Sequence, residues 1–173
     1  MASTEHPSAV ARLRAATRAS HDRVDAAFGG YDLSDAADYR AFLIAHARAL
    51  PVAERRMRAL PFARGLPERT PLLAADLAAL GMAMPAPLSF PDAGEAAAWG
   101  TLYVVEGSRL GGAMLARALP ADRPAAYLRA AHGPGQWRAI RAAIDAARCD
   151  PDAVVAGALA TFDLYARAAD EAP

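Results

Sequence analysis

One histidine in the N-terminal part of the chain has neighbours that suit a metal ligand. His21 lies on the apolar stripe of the segment SAVARLRAATRASHDRVDAAF, with Thr17 and Asp25 one helical turn before and after it. Either neighbour could orient one ring nitrogen and leave the other nitrogen to bind a metal, which is the usual arrangement around a ligating imidazole. Arg14, two turns before His21, is placed to clamp a carboxylate such as a heme propionate. Two interpretations stay open: a histidine whose ring nitrogens are satisfied within the protein, and an axial ligand to heme iron.

A second stretch, TLYVVEGSRLGG at residues 101–112, runs a helical apolar pattern into three glycines. Each glycine inside a helix costs about 0.5–1 kcal/mol relative to alanine, so the helix must gain something from them. Small residues one turn apart, at Gly107 and Gly111, would let another helix approach closely. Alternatively, a flat ligand presses against the backbone there, on a helix that is free to bend. A heme plane between the His21 helix and this glycine-kinked helix would explain both features.

The other residues able to do chemistry do not form a recognisable site. His6 is predicted to lie in a tail and His132 beside a Gly-Pro-Gly loop, so both are predicted to be solvated. His46, in FLIAHARAL, is predicted to be structural or a poorer ligand. No Glu-x-x-His pattern supports a di-iron or zinc centre. The Gly-Ser of EGSRLGG lacks the preceding strand of a nucleophile elbow, and no phosphate-binding loop occurs.

The elements that carry these residues are predicted to be helices separated by proline and glycine. The first helix ends at the glycine pair 29–30. The second is predicted to be capped by Ser34, with Pro51 either kinking it or starting a new helix that runs to Leu60.

In the second half of the chain, turn and cap residues mark further helices. Thr70 and Pro71 are predicted to cap and begin a helix that ends at Gly81. The segment MAMPAPLSFPDAG is predicted to be a loop, followed by a long helix over about residues 93–119. Three aspartates mark helix starts: Asp92, Asp122 and Asp150. One more helix is predicted around residues 137–148, after HGPGQ.

These patterns predict an all-α fold. Strand-like alternation is absent, and no internal repeat, low-complexity segment or long linker divides the chain. A length of 173 residues fits one domain. We therefore predict a single-domain, multi-helix bundle over residues 10–170, preceded by a flexible tail over residues 1–9.

Composition excludes several classes of protein. The formal net charge is +0, which argues against holding nucleic acid or an anionic membrane by bulk charge. Cys149 is the one cysteine in the sequence, so no intrachain disulfide and no cysteine-based zinc or iron–sulfur site can form. The N-terminus lacks the apolar core of a signal peptide, and no apolar run reaches the roughly 18 residues of a membrane span. A cytoplasmic location is expected.

Two segments together resemble the bacterial heme oxygenase family, the biliverdin-producing branch found in iron acquisition or beside bacterial phytochromes. They are LRAATRASHDRVDAAF near the N-terminus and GTLYVVEGSRLGG further along. The similarity extends over about residues 10–168 and includes DYRAFLIAHARALPVAE and the final TFDLYARAA. Neither segment is specific alone; their occurrence in this order and at this separation is more specific.

The resemblance implies a role for each matching residue. His21 matches the proximal histidine that ligates the iron. The distal helix, whose backbone lies against the heme and bends bound dioxygen over one edge of the macrocycle, is matched by Tyr103, Gly107, Ser108, Gly111 and Gly112. Of these, Gly107, Ser108 and Gly111 are the expected catalytic positions, whereas Tyr103 and Gly112 are expected to contact the heme.

Three further residues are expected to contact the heme or its ligand. Arg14 matches a basic position close to the propionates, where the family often has lysine. Arg117, ten residues after Gly107, is a weaker candidate for the same role. Thr17 is a third candidate for contact with the heme or its ligand, because it lies one helical turn before His21.

The chain also departs from the family pattern. Asp25 stands where many relatives have glutamate, so its hydrogen bond to the histidine has a shorter reach. The distal stretch lacks the aspartate that mammalian members place beside bound oxygen, so Ser108 and backbone groups would hold the distal water network. These departures affect the expected rate and regiochemistry more than heme binding.

The activity implied is oxidative opening of heme to biliverdin, carbon monoxide and ferrous iron. Heme is both substrate and cofactor, and dioxygen is the cosubstrate. The sequence has no nicotinamide or flavin fingerprint. Electrons are therefore expected from a separate donor, a ferredoxin or a flavoprotein reductase, and a bacterial phytochrome is a candidate acceptor of biliverdin. Two alternatives stay open: a non-catalytic heme sensor or carrier on the same fold, and a scaffold protein whose glycines only pack helices.

Overall fold

The computed structural model describes residues 8–172 and contains helices but no strand in that range. The α-helices are α1 (Ala9–Phe28), α2 (Ala36–Met57), α3 (Thr70–Ala79), α4 (Gly94–Leu115), α5 (Ala126–Arg129), α6 (Gln136–Ala146) and α7 (Pro151–Asp170), with a 3-10 turn at Phe62–Gly65. The predicted all-α class is confirmed. Residues 1–7 of the predicted tail, including His6, lie outside the described residues, while Ser8 caps α1 and Ala9 begins it.

Helix α7 is the central element of the bundle, because it packs against α1, α2 and α4. The buried side chains of the bundle are mostly aliphatic and aromatic, and the largest of them include Leu13, Tyr39, Phe42, Leu43, Leu50, Met57, Leu77, Leu102, Ile140 and Ile144. Burial of such apolar surface is the main term that stabilises the fold. The two helices with candidate site residues, α1 and α4, thus share α7 as a support.

The α4–α7 crossing brings two backbones into direct contact at a pair of glycines. A Cβ atom added to Gly100 would overlap the carbonyl oxygen of Val154, and one added to Gly157 would lie 2.5 Å from the carbonyl oxygen of Ala97. The hydroxyl groups of Thr101 and Thr161 share a buried hydrogen bond of 2.9 Å at the same crossing. Close helix packing therefore depends on Gly100 and Gly157, not on the glycines at 107 and 111 considered from the sequence.

The first two helices follow the sequence pattern with two corrections. Helix α1 ends at Phe28 before the glycine pair, as predicted. Ser34 does not cap α2: its hydroxyl donates to Asp32, and the carboxylate of Asp35 accepts from the first free N–H groups. Helix α2 then continues through Pro51 to residue 57, so no new helix starts at the proline.

Other predicted boundaries shift for identifiable reasons. Thr70 does not cap α3, because its hydroxyl donates to the buried carboxylate of Glu54. Helix α4 ends at residue 115, four residues before the predicted end. Asp122 is followed only by the four-residue α5. The first N–H groups of α5 donate to the carboxylate of Asp76 on α3. Asp150 caps α7 as predicted.

The predicted loop at residues 82–93 is an extended segment bound along α2. The N–H of Leu88 donates to the carbonyl oxygen of Arg48 at 2.8 Å. The guanidinium of Arg56 lies 3.3 Å from the centroid of the Phe90 ring and donates to the carbonyl oxygen of Pro91. These contacts hold the segment in place without regular structure. Over residues 8–172, none of the helices combines the length and the apolar character needed to cross a membrane.

His46 packs in the core, which agrees with the first of its two predicted roles, a structural residue as opposed to a metal ligand. Its ring lies among Phe28, Phe42, Tyr127 and Tyr165, with centroid distances from 4.3 to 5.9 Å. The Nδ1 atom is 2.9 Å from the carbonyl oxygen of Phe42. Burial lowers the pKa of His46 to about 4, because the charged imidazolium would lose its hydration there.

This burial predicts a pH-dependent loss of stability. The unfolded chain takes up a proton on His46 below its ordinary pKa of 6.5, whereas the folded chain resists protonation until about pH 4. The free energy of unfolding should therefore fall by up to about 3 kcal/mol between pH 6.5 and 4 from this residue alone. Urea unfolding of wild type and His46→Leu across this range isolates the effect, since the carboxylates titrate in both proteins. Parallel pH curves for the two would contradict it.

Candidate functional site

His21 presents its imidazole at the surface of α1 with one nitrogen available. The side chain is 58% exposed, and Nδ1 lies 3.2 Å from a carboxylate oxygen of Asp25. The ring makes an edge contact with Phe162 of α7, with centroids 5.9 Å apart. No residue in the range 8–172 forms a hydrogen bond with Nε2. A carboxylate on Nδ1 fixes the tautomer that leaves the lone pair of Nε2 for a metal.

Of the two neighbours considered for orienting His21, Asp25 is the one in contact with the ring. Thr17 is 2% exposed, and its hydroxyl donates to the carbonyl oxygen of Leu13 at 2.8 Å. That bond lies within α1 itself. The shorter aspartate side chain therefore reaches the ring nitrogen despite the departure from the family pattern.

The glycine-rich end of α4 carries an apolar stripe, and the part of it around Gly111 has no partner in the described chain. A Cβ atom added to Gly111 would meet no atom within 4 Å. Leu110 and Met114, beside it on the helix, are 53% and 71% exposed. Helical spacings of three and four place Gly107, Leu110, Gly111 and Met114 on one face. Close helix packing does not explain Gly111, since no other described element approaches it.

The three glycines have different surroundings. A Cβ atom at Gly107 would lie 3.6 Å from the indole carbon Cη2 of Trp137. At Gly112 it would lie 3.4 Å from the carbonyl oxygen of Leu128 in α5. Gly107 therefore faces an aromatic ring, Gly111 faces open space and Gly112 faces a neighbouring backbone. Helix α4 remains hydrogen-bonded through all three positions.

Ser108 connects the surface of α4 to a buried polar group. Its hydroxyl donates to the carbonyl oxygen of Val105 at 2.7 Å and accepts from the Nη2 atom of Arg69 at 3.0 Å. Arg69 is 2% exposed, and its backbone N–H donates to the carboxylate of Glu54. The serine hydroxyl is therefore fixed by a buried cation.

Two arginines on other helices act electrostatically on Tyr103 of α4. Tyr103 is half-buried, and this burial raises the pKa of its hydroxyl, while the charges of Arg14 on α1 and Arg141 on α6 act in the opposite direction. Arg117 follows the end of α4 and is exposed, and its side chain makes no hydrogen bond or ion pair with residues 8–172.

The prediction that His132 is solvated is wrong. Its imidazole is 6% exposed, and Nε2 lies 3.0 Å from a carboxylate oxygen of Glu106, which is itself fully buried. The loop after His132 turns back onto α4, and Gly135 supports the turn with a φ of +75°. A charged residue inside the apolar run TLYVVEG was the available signal, since glutamate is rarely buried without a partner.

The sequence of this chain is similar to that of a known protein. No family model matches the sequence. A curated relative is a heme oxygenase from Xanthomonas campestris pv. campestris (strain 8004), 39% identical over 106 residues. The matched segment covers 54% of this chain and 62% of the relative, so the chain spans about three fifths of the length of that protein.

A solved structure extends the comparison over nearly the whole chain. It is the heme oxygenase from Neisseria meningitidis, determined in NO- and CO-bound forms. The TM-score is 0.82 at 24% sequence identity, with 96% of this chain and 92% of the other chain covered. The predicted resemblance to the bacterial heme oxygenases is confirmed, and the chain has the heme oxygenase fold.

Proposed function

We propose that this chain is a heme oxygenase that opens heme to biliverdin, carbon monoxide and ferrous iron. The observation that carries the proposal is the exposed imidazole of His21 on α1, which Asp25 orients. The same fold has an open glycine face at Gly111 on α4. The curated relative from Xanthomonas supports the same activity. Heme is the substrate, and dioxygen with external electrons completes the reaction.

The proximal side of the site supplies one ligand to the iron. The Nε2 atom of His21 would bind the metal, while the carboxylate of Asp25, 3.2 Å from Nδ1, orients the ring. A thiolate ligand donates strongly and favours cleavage of the O–O bond, whereas a neutral imidazole donates less. The histidine ligand would therefore suit oxidation of the heme itself.

The distal side supplies a surface without side chains. Gly111 lets the α4 backbone approach the macrocycle, and Leu110 and Met114 cover apolar surface beside it. Gly107 and Gly112 flank this position. The hydroxyl of Ser108, held by Arg69 and by the carbonyl oxygen of Val105, would accept a hydrogen bond from a distal water, which would supply the proton.

The polar edge of heme would be bound by arginine side chains. Heme propionates are carboxylates, and a guanidinium group binds a carboxylate through paired hydrogen bonds. Arg14, whose charge acts on Tyr103, is proposed to bind one propionate together with that tyrosine. Arg117 is a second candidate, from the other end of α4. Thr17 shapes the proximal helix by its bond to Leu13.

The electrons come from a separate protein in this proposal. A ferredoxin or a flavoprotein reductase would supply them, and a bacterial phytochrome would accept the biliverdin. We propose that the protein acts in the cytoplasm, where such electron donors operate.

Hemin titration followed by reduction in air tests the proposed function. We expect a Soret band that saturates at one hemin per chain, and then its loss with the appearance of biliverdin absorption when ascorbate is added. Carbon monoxide released in the same reaction can be trapped with ferrous myoglobin. A stable complex that does not open would identify a heme sensor or carrier, and the absence of any complex would reject a heme site.

A glycine substitution tests the assignment of the distal face. Gly111→Ala should increase the free energy of unfolding by about 0.5–1 kcal/mol, because the open space admits a methyl group and alanine favours the helix. Gly111→Leu should weaken hemin binding by about tenfold or more, equivalent to about 1.4 kcal/mol, because its side chain would occupy the heme face. Hemin titration and urea unfolding measure both effects.

The matched control for this pair is Gly65, which also has open space around it but lies in the 3-10 turn outside α4. Gly65→Leu should bind hemin as the wild type does. Unchanged affinity in Gly111→Leu would show that the heme plane does not lie on this face.

A further inference from the structure

A buried polar cluster clamps the segment at residues 130–137 onto α4. The carboxylate of Glu106 accepts from the Nε atom of Arg109 at 2.8 Å and lies 3.0 Å from the Nε2 atom of His132. The guanidinium of Arg109 also donates to the carbonyl oxygens of Ala130, at 3.1 Å, and Pro67. Both ends of the clamp are buried, so these bonds are strong and costly to leave unmade.

The clamp positions Trp137, the next aromatic residue along the segment. The indole stacks on His132 with centroids 5.7 Å apart and planes 18° from parallel. It also lies 6.2 Å from the ring of Tyr103. Its Cη2 atom is 3.6 Å from the position of a Cβ at Gly107. The indole therefore lies across the turn of α4 between Tyr103 and Gly107.

The two ends of the glycine stripe consequently differ. The indole covers α4 at Gly107, whereas one turn later Gly111 faces open space. A rigid, planar macrocycle pressed against this helix can lie over Gly111 but meets the indole edge when it moves toward Gly107. The bond from His21 to the iron fixes only one point, so the lateral position and rotation of the plane need such a wall.

We propose that Trp137 is a specificity-determining residue that sets the seating of heme, and with it the meso carbon that is opened. His132 is a positioning residue, which holds the indole in place through Glu106. This inference rests on the proposed function and deepens it, since it concerns the orientation of the substrate in the same site. It gives a reason for burying a histidine–carboxylate pair directly beside the glycine turn.

Heme orientation can be read without turnover. In the ferric cyanide complex, the hyperfine-shifted proton signals of the heme methyl groups report how the macrocycle is seated. The wild type should show one dominant set of signals and one dominant biliverdin isomer. Trp137→Ala should change the ratio of isomers about tenfold, equivalent to about 1.4 kcal/mol, and add a second set of methyl signals while keeping the His21-ligated Soret band. Trp137→Phe should give an intermediate ratio.

Paired variants test the positioning role of His132. His132→Phe keeps the aromatic stack but removes the hydrogen bond to Glu106, and it should shift the isomer ratio in the same direction as Trp137→Ala. His132→Gln keeps a donor for the carboxylate and should restore most of the wild-type ratio. Trp99→Phe is the control, because Trp99 lies on α4 beside Phe62 instead of at the glycine turn.

The outcomes separate this inference from the proposed function. Wild-type binding and ring opening report the function itself, whereas the comparison of variants reports the role of the indole. Folded Trp137→Ala and Trp137→Phe proteins with wild-type methyl signals and isomer ratio would overturn the inference and leave the function standing. A wild-type protein that does not bind hemin would overturn both.

Discussion

His21→Ala should abolish ring opening, with a loss of turnover of about a hundredfold or more, equivalent to about 2.7 kcal/mol in the reaction barrier. The substitution removes the one ring nitrogen that is oriented and unpaired on α1. Hemin would still associate with the exposed apolar side chains of Leu110 and Met114. Its Soret band should move, however, and the iron–histidine stretch should vanish from the resonance Raman spectrum of the ferrous complex. Added imidazole should restore part of both signals, because it occupies the space left by the side chain.

Asp22→Ala is the matched control, since Asp22 is the exposed neighbour of His21 on the same helix. It should bind and open heme as the wild type does. A wild-type Raman and Soret signature in His21→Ala would assign the iron to another residue.

Gly157→Ala should destabilise the fold by about 3 kcal/mol or more. The added methyl group would lie 2.5 Å from the carbonyl oxygen of Ala97, and the neighbour is backbone that cannot rotate away. Gly100→Ala should behave in the same way from the other side of the crossing. Urea unfolding followed by circular dichroism measures the loss.

Gly107→Ala provides the comparison on the same helix. Its methyl group would meet only the Trp137 side chain, at an ordinary contact distance of 3.6 Å. We expect its stability to stay within about 1 kcal/mol of wild type, on the stabilising side. Equal stabilities for Gly107→Ala and Gly157→Ala would mean that the α4–α7 backbones are not in direct contact.

Local sequence signals predict the helices well because their causes lie within a few residues. The glycine pair at 29–30 ends α1, and Asp150 with Pro151 begins α7, since caps and first turns act within one turn of helix. A predicted cap is wrong where the polar side chain forms its hydrogen bond with a residue far away in the sequence. Thr70 donates to Glu54 from another helix, a partner that no local pattern reveals.

The contacts of the candidate site also divide into those between residues close in sequence, which can be predicted, and those between distant residues, which cannot. His21 and Asp25 are four residues apart on one helix, so their contact follows from spacing alone. His132 and Glu106 are 26 residues apart, and their pairing depends on how a loop folds back onto α4. The open face at Gly111 and the crowded one at Gly157 look alike in sequence. Only the neighbouring helices distinguish a glycine that faces open space from a glycine that packs against another helix.

The shared support of α1 and α4 on α7 makes the proposed heme site mechanically asymmetric. The α4–α7 crossing is in direct backbone contact at Gly100 and Gly157. The α1–α7 seam is bordered by surface ion pairs, from Arg12 to Asp152 and from Arg23 to Asp163, and exposed pairs of this kind are each worth only about 0–1 kcal/mol. We therefore expect α1 to move against α7 more readily than α4 does, so that the wall proposed to bind the iron shifts while the wall proposed to face oxygen stays in place.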